Sequence, residues 1–176
     1  MARFRTLGEE EEREFWRPYR FYWREAERCE KANAHLAGCV MLGSALEALL
    51  ILMVNVYDEE ASGTGLIPMK KKKGKDVKRP KPLVDWDLAE LLRVAKAANW
   101  LPAGLNMDEE WNSRKARVGD YAEVARRVRN LVHAGKYRSS IFAGESRKSI
   151  FNGSLTWWMH AASGLTITIP KPCLRN

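Results

Sequence analysis

Apolar and polar positions along the chain recur at helical rather than strand spacing almost throughout. A first helix begins near Leu7–Glu9, where acidic residues suit the positive end of a helix dipole. Pro18 either kinks it or marks a restart. Phe15, Tyr19, Tyr22 and Trp23 share one face, read here as packing surface. From Tyr19 the chain stays helix-compatible to about Tyr57. Within that span Leu36, Val40, Gly43, Leu46 to Leu50 and Met53 are apolar nearly all round, as in the central helix of a bundle. Gly43 and Ser44 there predict the close approach of a neighbouring helix. Glu47 is the one carboxylate in the run. It either takes an Arg from another helix or lies at the bundle edge.

A long loop follows over residues 58–83. The third helix is expected over Asp85–Asn99, with Asp85 as its N-cap, an apolar set of Leu88, Leu91, Leu92, Ala95 and Ala98, and an end at Trp100-Leu101-Pro102. A short helical piece is read around Asp108–Lys115. The fourth main helix is expected from Asp120, again read as N-cap, to Ala134, with Gly135 placed to stop it. A fifth is expected over Ser146–Ala162. Leu165–Ile169 alternates like a short strand, the only sheet element expected, at the start of a C-terminal tail, 165–176. The predicted fold class is all-α: a single domain, 1–176, forming a bundle of four to five helices with one long basic loop.

Composition supports a folded domain. The chain has 176 residues, 45% hydrophobic and 30% charged, which excludes wholesale disorder. The most apolar segment, Leu36–Tyr57, is interrupted by Glu47, so a buried helix is expected there and no membrane span. The charged N-terminus does not resemble a signal peptide. Cys29, Cys39 and Cys173 are expected as free thiols in a reducing cytoplasm. Ten residues of continuous helix would separate the first two by ~15 Å, too far to bridge.

Charge changes the picture more. The net charge is +8, yet residues 70–82 hold eight Lys and Arg against Asp76 alone, a local +7, leaving about +1 for the rest. Lys70, Lys71, Lys72, Lys73 and Lys75 form either a solvated linker or an arm that attracts phosphates without sequence preference.

Candidate chemistry lies in residues 126–137. At ~100° per residue, Arg126, Arg129, Asn130 and His133 fall on one stripe, with Val124, Val128, Leu131 and Val132 expected to face the core. Two guanidiniums, an amide and an imidazole then stand together, a set able to hold a phosphodiester and move its protons. A basic helix face with a structural His is the plain alternative. Metal ligation is not indicated, since His35, His133 and His160 lie far apart and no Cys-x-x-Cys occurs. Neither a P-loop nor a Gly-x-Ser-x-Gly elbow is found.

The run Arg129-Asn130-Leu131-Val132-His133 resembles the Arg-Asn-x-x-His signature of the HEPN superfamily of small helical proteins. Gly43–Leu50 resembles that superfamily's core helix, and Asp87–Leu92 with Asn99–Pro102 resembles the helix between, so the likeness spans roughly residues 30–140. It implies a four-to-five-helix bundle, commonly a homodimer. It further implies a metal-independent endoribonuclease of a toxin–antitoxin or defence system, with RNA and a cognate antitoxin as partners and no cofactor. Some members only bind RNA, nucleotides or a partner protein, so a non-catalytic dimerisation or adaptor domain is the alternative. The usual pattern separates Arg from His by four to six residues. Here Arg129 stands three before His133, Arg127 five and Arg126 six, which leaves open which Arg is catalytic. His133 would be the acid–base residue, Asn130 would orient the phosphate or the imidazole, and Tyr137 would add a hydroxyl.

Overall fold

The first two helices form an antiparallel hairpin whose aromatic and aliphatic faces close on each other. The structure, a computed structural model, describes residues 4–71, 78–101 and 118–130. Among these, α1 (Glu9–Lys31) and α2 (His35–Val56) make the most extensive pairing. The start of α1 meets the end of α2, where Asn55 accepts from the Leu7 N–H at 2.7 Å and donates to Glu12 at 3.0 Å. At the other end Ala26 and Leu42 bury each other beside Trp23 and Met41.

α1 runs through Pro18 without a break. The helical stretch expected from Tyr19 to Tyr57 does break, at Ala32–Ala34. Asn33 there adopts φ 55, the left-handed region an Asn tolerates at a helix end. The axial separation argued for Cys29 and Cys39 therefore does not apply. The chain reverses between them, and each lies three residues from the Ala26–Leu42 pair, toward the turn. Both are free thiols, and burial pushes Cys39 up to about 11.

The expected loop 58–83 is more ordered than its composition implied. It opens with a short helix, α3 (Asp58–Gly63), tied to Trp100 by the indole N–H on Glu60 at 2.9 Å. It then forms a two-stranded antiparallel hairpin, β1 (Met69–Lys71) and β2 (Lys78–Pro80), with Met69 opposite Pro80 and Lys70 opposite Arg79. This is the one sheet among the described residues, and it is not where alternation placed one. Strand pairing here rests on backbone hydrogen bonds, and lysines are well tolerated on edge strands, so no apolar alternation marks it. Lys72, Lys73 and Lys75 lie outside the described residues. So do the expected helices at 108–115 and 146–162, the strand at 165–169 and Gly135.

Asp85 is not an N-cap but the last residue of a 3-10 turn, Leu83–Asp85. The next helix, α4 (Leu88–Ala97), starts two residues later on Asp87. Asp87 accepts from the Glu90 N–H at 2.8 Å while Glu90 accepts from the Asp87 N–H at 2.9 Å. Only Asp87 has a Glu three positions on, so only it completes this reciprocal cap. Leu88, Leu91, Leu92, Val94 and Ala95 of α4 join Leu50, Ile51 and Val54 of α2, Leu83, Trp86 and Ala122 in the main core.

The last described helix, α5 (Val118–Asn130), packs on α2 and α4. It starts before Asp120, which is buried in its first turn rather than capping it. Its buried line is Tyr121, Ala122, Ala125 and Val128, with Val124 only half-buried. The helix is rotated from the expected inward set because α5 faces two helices, and its small residues let both approach. Leu131 and Val132 lie outside the described residues. The all-α bundle class is what the structure displays: five helices and one small hairpin among the described residues.

Candidate functional site

Three of the expected site residues stand on α5, and each guanidinium has a carboxylate partner. Arg129 reaches across to α2 and pairs with Glu47, Nη1 to Oε2 2.8 Å. Glu47 thus has the inter-helix Arg that an isolated carboxylate in an apolar run requires. The crossing is close because Gly43 has no side chain. A Cβ built there would meet Arg129 Cδ at 3.2 Å, its Cβ at 3.4 Å and the Ala125 carbonyl at 3.5 Å.

Arg126 turns back along its own helix. Its Nε donates to both oxygens of Glu123, at 3.0 and 3.1 Å, and its Nη2 also donates to Glu123. Arg127 reaches the same carboxylate, Nε to Oε1 3.7 Å. Burial alone would raise the Glu123 carboxyl, but the hydrogen bonds from Arg126 and the charges of Arg126, Lys96 and Arg127 outweigh it and hold it below its usual value. One carboxylate therefore gathers two guanidiniums that would otherwise repel. Asn130 is half-buried at the end of the described helix. His133 and Tyr137 lie outside the described residues.

The second candidate set, the lysines, stands at the root of the hairpin. Lys70 is exposed and pairs loosely with Asp85 at 3.5 Å. Lys81, beyond β2, is fixed more firmly. Its Nζ donates to Glu90 at 2.6 Å, its N–H donates to the Pro68 carbonyl, and its own carbonyl accepts from the Trp86 indole at 3.1 Å. The hydrogen bond to Glu90 is the main reason its ammonium is held above the usual lysine range, with Asp87 and Asp85 adding to it. Burial works the other way.

Glu123, Glu90 and Lys81 were not among the residues expected at the site. Glu123 carried a legible signal, three positions before Arg126 and four before Arg127 on one helix. Lys81 belonged to the counted basic run, but its role depends on a contact with α4. Among the described residues, no three His, Cys, Asp or Glu side chains gather so as to hold a metal ion.

The fold and site together define an all-α bundle that displays paired arginines on one helix and a basic hairpin rooted on its neighbour. Comparison with protein-family models, curated proteins and solved structures returns no match.

Proposed function

We propose that the chain is an RNA-directed HEPN-like protein, a metal-independent endoribonuclease of a toxin–antitoxin or defence system. The observation that carries the reading is the α5 cluster of Arg126, Arg127 and Arg129, followed in sequence by Asn130 and His133, in a molecule that also has a basic hairpin. His133 takes the proton from a ribose 2′-hydroxyl or returns one to the leaving 5′-oxygen. The guanidiniums stabilise the charge that builds on phosphorus as the 2′-oxygen attacks. Because Arg129 is committed to Glu47, the phosphate falls to Arg126 and Arg127 first, with Asn130 beside them and Tyr137 as a further hydroxyl. One subunit offers one His on this stripe, so the reading places a second copy across a two-fold axis along α5, supplying the second acid–base group.

The carboxylate partner of every α5 arginine also favours a second reading, in which these pairs serve only to hold α2 and α5 in a non-catalytic adaptor domain. The deciding experiment is an RNA cleavage assay in EDTA. The nuclease reading expects cleavage by the wild type, loss with His133→Ala, and a loss of at least tenfold with Arg126→Ala. No cleavage by the wild type leaves the adaptor reading.

A further inference from the structure

We infer that the hairpin root and the α5 arginines form one continuous anion track, joined across the first turn of α4, and that a single RNA strand lies along it. This rests on the RNA-directed reading and adds the path of the strand.

The two basic sets are far apart in sequence, at 70–81 and 126–129, and the fold brings them together through α4. The hairpin root is fastened to the start of that helix. Lys81 is held by Glu90, the N3 residue of the α4 cap, and Trp86 holds the Lys81 carbonyl. α5 packs on the same helix. The charge of Asp87, the α4 N-cap, acts on both Lys81 and Arg126, so these two cations stand on either side of one helix turn.

The carboxylates in between do not cancel the track. Asp87 and Glu90 are occupied in capping each other's N–H groups. The Lys70–Asp85 pair is long and exposed, of a kind worth little in water, so Lys70 exchanges its partner for a phosphate at small cost. Arg126 meets Glu123 through Nε and Nη2, and Nη1 is not part of that fork. Arg79 is exposed opposite Lys70. A duplex is stiff over about 150 base pairs and cannot follow a path from a hairpin over a helix end to a second helix within one domain; a single strand can.

The test is binding of a fluorescent 2′-O-methyl oligouridylate of about 16 nucleotides, near the upper site size for one small binding domain. It lacks the attacking hydroxyl and stays intact. The full chain is compared with Lys70→Gln/Arg79→Gln, with Arg126→Gln and with all three changes together. Arg126→Lys replaces Arg126→Gln if circular dichroism shows that the latter fails to fold. One strand per protomer is expected, with each variant weakening binding about fivefold or more. The losses should combine in the triple variant, and the salt slope should fall by about 0.7 for each phosphate contact removed. A loss confined to one of the two sets, or two strands bound per protomer, overturns the continuous track and leaves the RNA-directed reading standing. No binding by the wild type overturns both.

Discussion

Arg129 of α5 and Glu47 of α2 meet at 2.8 Å directly above the bare backbone of Gly43. The contact joins a carboxylate in the most apolar stretch of the chain to a residue of the candidate site. α2 is long and apolar enough, by length and composition alone, to cross a membrane. In the structure more than half of its most apolar window is buried, and its one charge is paired with α5.

Gly43 sets how close the two helices come. Alanine there gains roughly 1 kcal/mol of helix propensity but presses on Arg129 Cδ and Cβ, which have to shift by a few tenths of an ångström. Gly43→Ala is expected to change stability by less than about 1 kcal/mol, since the two effects oppose. Gly43→Leu, which has no room against the Ala125 backbone, is expected to cost about 2 kcal/mol or more. Thermal melts of the two variants check this, and equal melting points would show that the crossing is not close.

The Glu47–Arg129 pair is about three-quarters covered on both sides. Removing one partner leaves a half-buried charge, so Glu47→Ala and Arg129→Ala are each expected to cost roughly 1–2 kcal/mol. The double variant should cost clearly less than the two together. Urea unfolding of all four proteins gives the coupling, and strict additivity would mean that the pair contributes nothing.

Glu123 predicts a pH dependence. Its folded value lies below the ordinary carboxylate value, so ionised Glu123 stabilises the fold above the unfolded value, about 4.3. That stabilisation is lost as pH falls from there through the folded value. Between pH 6 and pH 3 the wild type should lose more thermal stability than Glu123→Gln, which has no proton to take up at this position. Parallel curves for the two would refute the Arg126–Glu123 fork.

Asp87, not Asp85, should matter to α4. Asp87→Ala removes the reciprocal cap and is expected to cost about 1 kcal/mol. Asp85→Ala removes only a long exposed pair with Lys70 and should cost a few tenths at most. Chemical denaturation distinguishes them, and a larger effect at Asp85 would return the helix start to that residue.

The helical class, the central apolar helix, the close approach at Gly43 and the need of Glu47 for a cation were all legible in the sequence, because spacing and burial preference are properties of single segments. The break at Asn33 was legible in principle, from one Asn between two alanines, but the helix-forming residues around it masked it. The hairpin had no side-chain pattern to show, since backbone pairing alone makes it. Which Arg answers Glu47 was not legible. Arg126, Arg127 and Arg129 are interchangeable by charge, and only the rotation of α5 between α2 and α4 selects Arg129 for Glu47 and leaves the other two to Glu123. Nor did the sequence join the lysines to the arginines. Some 45 residues separate Lys81 from Arg126, and they become neighbours because both pack about the first turn of α4. Sequence by itself determined segments and their appetites for partners; tertiary structure decided the partners, because a charge is satisfied by distance in space and not by position along the chain.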